Sequence, residues 1–250
     1  MTGPALPSFF RLLRFGQLAS TNEEAARLAA EGAAEGTLIV ADKQSAGHGR
    51  RGRLWVSPPG NLYCSLVLRP PSAPREAAQI GFAASLAVLQ SCRDLAPGAS
   101  FACKWPNDVL ANGRKLAGIL LESRAAGGAA LSWLVLGIGI NLVSYPPDTE
   151  FPATSLAEAG APGVSPDRML PILAARFLVQ YETWRRPGGF ASLRADWLAH
   201  AQGMGKAIRV RLADREIDGR FSGLDAEGRL LLDGAEGRQA IAAAEIFPAA

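Results

Sequence analysis

The segment Gly47–Arg53 says more than any other about the structure and ligands of this chain. Its seven positions hold three glycines, three arginines and a histidine. Glycine makes the backbone pliable, so we expect a loop here rather than a helix or strand. Backbone N–H groups and planar guanidinium groups in such a loop can surround a compact anion. The segment predicts recognition of phosphate or carboxylate, although a solvated basic turn explains the loop alone equally well.

The bulk composition indicates an ordinary globular protein. The chain has 250 residues, of which 48% are hydrophobic and 20% charged, which is enough for one sizeable domain and a small one. No apolar run reaches the ~18 residues of a transmembrane helix, and the N-terminal residues lack the charge order of a signal peptide. We therefore predict a cytoplasmic protein.

Charge and cysteine content argue against two classes of function. The net charge of +3 is too small to indicate nucleic-acid binding by itself. Cys64, Cys92 and Cys103 show no C-x-x-C spacing and have only two histidines beside them in the sequence, so no protein metal site is predicted. A sparse, odd set of cysteines fits a reducing compartment.

Periodicity and turn signals predict the regular elements. Helices are expected over 20–35, 75–95, 166–185 and 190–200, and strands over 37–41, 62–68, 109–110, 115–121 and 131–140. Asn112-Gly113 marks a hairpin turn, and Pro171 is expected to kink or restart its helix. Residues 143–152 are rich in proline and polar side chains and are expected to form a mobile loop.

The pattern of residues changes after Gly205. Short strand-like runs alternate there with turns rich in Asp, Glu and Gly, a pattern typical of a small β-barrel. We therefore divide the chain into a domain of residues 1–203 and a second of residues 204–250.

Two further motifs combine charges with a defined backbone. Lys104–Asp108 brings a cation, a tryptophan and an anion to the end of a strand, where Pro106 stiffens the chain. Lys115 begins the strand after the Asn-Gly turn, and simple alternation places it with Ala117 and Ile119, opposite Gly118. A turn with a half-buried tryptophan and a surface lysine are the plainer interpretations of these motifs.

Small residues at three other places complete the set. Ser20-Thr21-Asn22 is first of all a helix N-cap, but it also offers hydrogen-bonding groups at the positive end of a helix, where Gln44 could join it. Gly137 and Gly139 alternate within a strand that ends at Asn141. Close strand packing explains these glycines, yet glycine also permits close approach of a flat ligand.

Together these motifs resemble the biotin protein ligase family (biotin–[acetyl-CoA carboxylase] ligases) in its form without an N-terminal DNA-binding domain. The matching residues run in family order: Ser20-Thr21-Asn22, Gln44, Gly47–Arg53, Lys104–Asp108, Arg114–Ile119 and Gly137–Asn141. The resemblance implies an α+β fold, with a mixed β-sheet catalytic domain related to class II aminoacyl-tRNA synthetases and lipoate ligases and a C-terminal SH3-like β-barrel. It differs at His48, where the family often carries arginine.

The resemblance also implies a reaction and residue roles. Biotin would be activated by ATP, with Mg²⁺, to biotinyl-5′-AMP and passed to a lysine of a biotin carboxyl carrier domain. The residues that the resemblance implies for biotin binding are Ser20, Thr21, Asn22, Gln44, Gly47, His48, Gly49, Arg50, Lys115, Gly118, Gly137 and Gly139. ATP or adenylate binding falls to Arg50, Arg51, Arg53, Trp55, Asn107, Lys115 and Asn141, and catalysis to Lys115, Arg50 and Asp108. Phe151 is the nearest aromatic to cover the adenine.

Partners follow from the same resemblance. The acceptor would be the carrier domain, a homodimer is possible in this family, and neither DNA nor a membrane is expected as a partner. Only 19 residues precede Ser20, fewer than the ~60 of a folded domain, so we expect a ligase without a repressor domain.

Three alternatives stay open at this point. A lipoate or octanoate ligase or transferase shares the fold and also transfers an acyl group to a lysine of a carrier protein. A nucleic-acid-binding regulator could use the basic loop and the barrel, although Phe221 and Phe247 are the only barrel aromatics available for base stacking. A degenerate ligase could serve only as a biotin-binding module.

Overall fold

The computed structural model describes residues 5–125, 131–212 and 214–248; the outermost ends of both predicted domains lie outside the described residues. The elements, in chain order, are β1 (Arg11–Leu18), α1 (Thr21–Ala30), β2 (Thr37–Gln44), β3 (Leu62–Leu68), α2 (Pro74–Ala77), α3 (Ile80–Leu95), β4 (Phe101–Lys104), β5 (Asp108–Ala111), β6 (Arg114–Ala125), β7 (Leu131–Ile140), α4 (Pro166–Arg185), α5 (Gly189–Ala199), β8 (Ala207–Arg211), β9 (Glu216–Leu224), β10 (Leu230–Gly234), β11 (Gly237–Ile241) and β12 (Glu245–Pro248). None of the helices among these residues is both long and apolar enough to cross a membrane.

A seven-stranded mixed sheet organises the first part of the chain, in the order β1-β2-β3-β7-β6-β5-β4. β1 and β2 are parallel, and every other neighbouring pair is antiparallel. β3 is buried along its whole length, as a nearly continuous apolar strand in the middle of a sheet should be. The predicted mixed sheet is therefore confirmed.

The two faces of this sheet are covered unequally. Helices α3 and α4 pack on one face and α5 packs against both of them, and their apolar side chains form the main core with alternate strand residues. On the other face, α1 covers only part of β2, β3 and β7, through a small cluster that includes Ala25, Ile39 and Val135. The rest of that face, beyond the N-terminus of α1, is not covered by a helix among the described residues.

The C-terminal strands form a separate five-stranded antiparallel sheet, in the order β11-β10-β9-β8-β12. The turn between β9 and β10 rests on the first sheet, where the Trp105 indole N–H donates to the Gly228 carbonyl at 3.2 Å. The predicted second β-structure is confirmed, while the boundary at 203/204 stays a prediction.

Several local predictions need correction. The helix expected over 20–35 ends at Ala30, and Gly32 then takes a left-handed φ of 95°. The helix expected over 75–95 is divided into α2 and α3. The prediction that Pro171 restarts its helix is wrong, because α4 is continuous from Pro166 to Arg185. The carbonyl that Pro171 deprives of an N–H partner belongs to Asp167, which is exposed and can be hydrated.

Candidate ligand-binding and catalytic site

A cavity of about 380 Å³ lies on the uncovered face of the seven-stranded sheet. Its walls come from the N-terminus of α1, the Gly47–Arg53 loop, β5 to β7, residues 146–153 and β12. Sixteen residues named from the sequence line it: Ser20, Thr21, Asn22, Gln44, His48, Gly49, Arg50, Arg53, Trp55, Asn107, Asp108, Lys115, Gly118, Gly137, Gly139 and Asn141. Gly47 and Arg51 do not line it.

A chain of hydrogen bonds crosses one end of the cavity. The Thr21 backbone N–H donates to Gln44 Oε1 at 2.8 Å, and Gln44 Nε2 donates to Ser57 Oγ at 2.9 Å. Ser65 Oγ lies 2.8 Å from Thr21 Oγ1 and 2.6 Å from Asn22 Oδ1. These contacts join α1, β2, β3 and Ser57 in the segment before β3, so the positions of these side chains are fixed by protein neighbours.

Ser20 occupies the N-cap position of α1 but does not cap it. Its backbone is extended and its side chain makes no capping hydrogen bond, while its buried hydroxyl faces the cavity with Thr21 and Asn22. The helix therefore presents a hydroxyl and its positive end to the same space.

The glycines of β6 and β7 make room for protein side chains. A Cβ on Gly137 would lie 2.1 Å from Asn22 Oδ1, so the missing side chain leaves space for that carboxamide. A Cβ on Gly139 would lie 2.7 Å from the Trp55 indole, and one on Gly118 would lie 3.1 Å from it. Asn22 and Trp55 thus rest directly on the floor of the cavity, and the Trp55 Nε1 hydrogen has no partner among the described residues.

Asp108 lies between two lysines at the opposite end of the cavity. Lys115 Nζ is 2.7 Å from Asp108 Oδ1, and Lys104 Nζ is 3.9 Å from Asp108 Oδ2. Burial lowers the pKa of Lys104, and the nearby Asp108 offsets this only in part. Arg50 reaches Asn107 Oδ1 at 3.4 Å, and burial lowers its pKa as well. This end of the cavity therefore concentrates cations where an anionic ligand would be stabilised.

The alternation predicted for Lys115 is wrong. Leu110 pairs with Lys115 and Val109 pairs with Ala117, so β6 contains one extra residue, Leu116. Such a bulge changes the face on which the next side chain points. It brings Lys115 to the face of Gly118, where an added Cβ would lie 3.7 Å from Lys115 Cε.

The segment after β7, expected to be mobile, is irregular but fastened at both ends. Asn61 Oδ1 accepts from the backbone N–H groups of Leu142 and Val143 at 2.8 and 2.9 Å. Farther along, Lys115 N donates to Pro152 O and Thr154 N donates to Lys115 O, at 2.7 and 2.9 Å. The segment therefore holds the backbone of Lys115 on both sides.

Phe151 in this segment lines the cavity, as the sequence indicated. The Lys104 ammonium lies 4.3 Å from the centre of its ring, a cation–π contact. Whether the ring covers a nucleobase stays a prediction.

The C-terminal sheet closes one wall of the cavity through β12. Glu245 Oε1 lies 2.5 Å from Arg53 Nη1, and the Phe247 ring lies 5.7 Å from the Lys104 ammonium. Arg211 of β8 also pairs with Glu150 of the irregular segment. The basic loop and the segment over the cavity are thus both tied to the second sheet.

Sequence reasoning missed five of the residues that build the site, namely Ser57, Ser65, Glu122, Glu245 and Phe247. The sequence does carry a signal for Ser65, since it is the one small polar residue in a strand of large apolar and aromatic side chains. The other four lie in exposed or mixed sequence. Only the tertiary structure brings Glu245 and Phe247 to the cavity wall and places Ser57 and Glu122 against the Gln44 and Asn22 side chains.

No cluster of three His, Cys, Asp or Glu side chains within residues 5–125, 131–212 and 214–248 could hold a metal ion. The charged and polar lining of the cavity consists of amides, hydroxyls, lysines, arginines and the carboxylates of Asp108, Glu150 and Glu245.

Comparison with known proteins decides the family. The model of the biotin/lipoate A/B protein ligase family matches residues 16–141, and that of the biotin protein ligase C-terminal domain matches residues 203–247. This chain belongs to the biotin/lipoate A/B protein ligase family. All cavity-lining residues up to Asn141 fall within the first match, and β12 falls almost wholly within the second.

Individual relatives of this ligase family cover most of the chain. The biotin–[acetyl-CoA-carboxylase] ligase of Paracoccus denitrificans is 44% identical over 91% of this chain and 96% of its own. The protein of the same name from Mycobacterium tuberculosis is 37% identical over 87% of this chain and 81% of its own. The solved biotin protein ligase of Aquifex aeolicus in complex with biotin and ATP has a TM-score of 0.80 and 27% identity, covering 95% of this chain and 97% of its own.

Proposed function

We propose that this chain is a biotin–protein ligase. It activates biotin with ATP to give biotinyl-5′-AMP and pyrophosphate, and it then transfers biotin to a lysine of a biotin carboxyl carrier domain. The single observation that carries the proposal is the Lys115–Asp108 pair, set in a cavity with a neutral hydrogen-bonding end and a cationic end. The relatives named for the same activity, and the solved one that holds biotin and ATP, support it.

The neutral end suits the ureido ring of biotin. Thr21, Asn22 and Gln44 offer amide and hydroxyl groups whose positions are already fixed by neighbours. A urea that is buried without partners loses about 1–3 kcal/mol per unsatisfied group. Matched groups at this end therefore select a urea over an acid that lacks one.

The cationic end suits the carboxylate and the α-phosphate. In the first step a biotin carboxylate oxygen attacks the α-phosphorus of ATP, and the bond to the β-phosphate oxygen breaks as pyrophosphate leaves. Negative charge gathers on the α-phosphate, where Lys115 and Arg50 can stabilise it. Mg²⁺ accompanies ATP as part of the substrate and neutralises its phosphate charge.

The second step needs a free amine. The carrier lysine attacks the acyl carbon, the bond to the phosphate oxygen breaks, and AMP leaves. A lysine with a reference pKa of about 10.4 arrives mostly protonated at neutral pH, so a group near the acyl carbon must accept its proton. Asp108 is the carboxylate that contacts Lys115 at this end of the cavity, and we assign that role to it.

The remaining assignments are proposals of the same kind. Residues 1–203 act as the catalytic domain and residues 204–250 as a C-terminal domain that closes the cavity through Glu245 and Phe247. A homodimer in the cytoplasm is consistent with the family, and we propose neither DNA nor membrane as a partner.

The test of the function is biotin-dependent exchange of labelled pyrophosphate into ATP, with lipoate and octanoate in parallel. Exchange with biotin alone supports the proposal, and exchange with lipoate or octanoate instead contradicts the assigned substrate. Transfer is then measured with a biotin carboxyl carrier domain, using a carrier whose acceptor lysine is replaced by arginine as the control.

A further inference from the structure

Glu122 lies outside the cavity lining but ends the chain of hydrogen bonds at its neutral end. Its Oε2 accepts from Asn22 Nδ2 at 2.7 Å, and its Oε1 lies 3.6 Å from His48 Nε2. Asn22 is buried, whereas the Glu122 side chain is 41% exposed. Glu122 can therefore act on a ligand only through Asn22 and the loop that carries His48.

The chemistry of a carboxylate fixes the direction of this chain. An ionised carboxylate can only accept hydrogen bonds, so Asn22 must turn Nδ2 toward Glu122 and Oδ1 toward Ser65. The single hydroxyl hydrogen of Ser65 then goes to Asn22 Oδ1, across 2.6 Å. Ser65 then has no hydrogen left for its 2.8 Å contact with Thr21 Oγ1, so the Thr21 hydroxyl must donate to Ser65 Oγ there. Its one hydrogen is then not available to Gln44 Oε1, which lies 3.1 Å from Thr21 Oγ1.

This direction decides what the cavity offers to a ligand. Asn22 donates one amide hydrogen to Glu122, and Gln44 donates one to Ser57. Each amide has a second hydrogen. The amide oxygen of Asn22 is engaged by Ser65, and that of Gln44 by the Thr21 backbone N–H. The hydrogen-bonding groups that Asn22 and Gln44 have left for a ligand are therefore mainly donors, which suits the carbonyl oxygen of a urea.

We infer that Glu122 is a positioning residue that sets the donor orientation of the Asn22–Ser65–Thr21 chain and thereby the selectivity of the site for a urea carbonyl. This inference rests on the proposed function. It also accounts for Gly137, because the Asn22 carboxamide reaches Glu122 only across the space that a side chain at position 137 would fill.

The variant Glu122→Gln keeps the shape of the side chain and removes the fixed polarity, since a glutamine can donate or accept. A ground-state contact changes KM rather than kcat. In biotin-dependent pyrophosphate exchange we expect KM for biotin to rise about tenfold, the scale of one misplaced buried hydrogen bond, with KM for ATP and kcat within twofold of the wild type.

A second readout separates orientation from general damage. 2-Iminobiotin is a cyclic guanidine, so at neutral pH it carries a protonated C–NH₂⁺ group, which can only donate hydrogen bonds, in place of the urea C=O acceptor. The wild type is expected to prefer biotin strongly in kcat/KM, and Glu122→Gln is expected to lower this preference by about tenfold, because Asn22 can then present its oxygen. Arg124→Gln is the control: Arg124 is exposed two residues along the same strand, and its side chain takes part in none of the hydrogen bonds among the described residues.

The outcomes separate cleanly. An unchanged KM for biotin in Glu122→Gln overturns the inference, and so does a raised KM with an unchanged preference over 2-iminobiotin, because that pattern means a structural role only. Equal rises of KM for biotin and ATP overturn it as well. If the wild type itself shows no biotin-dependent exchange, the proposed function fails instead.

Discussion

The Lys115 ammonium lies 2.7 Å from the Asp108 carboxylate, although the residue paired with Asp108 in the sheet is Gly118. The contact exists because the bulge at Leu116 moves Lys115 onto the cavity face of β6. The backbone of Lys115 is also held by the irregular segment, through Pro152 and Thr154. The position of this lysine is therefore determined by three separate parts of the chain.

Lys115→Ala should abolish formation of the adenylate while the fold is kept. Removing one preorganised group that stabilises transition-state charge costs about 10²- to 10³-fold in rate. Lys115 side-chain packing is modest, since the residue is only half buried. The measurement is pyrophosphate exchange together with a circular dichroism spectrum, with exposed Lys43→Ala as the control. Normal pyrophosphate release from Lys115→Ala would remove this lysine from the mechanism.

Arg50→Gly should loosen retention of the adenylate. Arg50 lines the cavity beside Asn107, and burial lowers its pKa, so its guanidinium gains most when an anion is bound next to it. We expect faster dissociation of biotinyl-5′-AMP and biotinylation of bystander proteins. Dissociation is followed by rapid dilution into excess unlabelled biotin and ATP, with Arg186→Gly at the exposed end of α4 as the control. An unchanged dissociation rate would contradict the role of Arg50.

The fold was largely predictable because its helices and central strands carry strong periodicity. The strand β1 was missed because Arg11–Leu18 has no clean alternation and is mostly exposed, so its place at the sheet edge depends on pairing with β2. The continuity of α4 was also missed, because a proline in the second turn of a helix disturbs only one carbonyl near an exposed end.

The site was predictable where glycine, charge and turn signals coincide in short motifs, as in Gly47–Arg53 and Lys104–Asp108. It was not predictable where one residue acts on another from a distant strand. Glu122 and Ser65 illustrate this, since both contact Asn22 across sheet positions that no local pattern connects. The bulge at Leu116 defeated alternation for the same reason, because it is set by pairing with β5.

Gly137→Ala should weaken biotin binding and lower the free energy of unfolding. The new methyl group would lie 2.1 Å from Asn22 Oδ1, so the carboxamide must leave its place between Ser65 and Glu122. Overpacking of this kind costs about 1–3 kcal/mol. Urea unfolding and calorimetric titration with biotin measure the two effects. Gly98→Ala is the matched control, because nothing lies within 4 Å of an added Cβ there, and equal behaviour of the two variants would refute the prediction.

The last prediction concerns Lys104, which is only 8% exposed. Burial lowers its pKa below the ordinary value of 10.5, and the pull of Asp108 in the opposite direction is smaller. At pH values between the lowered pKa of Lys104 in the folded chain and 10.5, Lys104 binds more protons in the unfolded chain than in the folded chain. The free energy of unfolding therefore rises with pH across that window, and below it the cost of burying the charge is constant.

Lys104→Met removes this cost and leaves Asp108 paired with Lys115. The variant should accordingly be more stable than the wild type at neutral pH, and its advantage should shrink as the pH approaches 10.5. The difference between the two proteins isolates Lys104, because every other lysine titrates in both. Urea unfolding at several pH values from 7 to about 10.5 measures it, with Lys43→Met as the control at an exposed position. An advantage that stays constant or widens with rising pH would show that the Lys104 ammonium is stabilised by its surroundings, and that its contact with Asp108 outweighs the cost of burial.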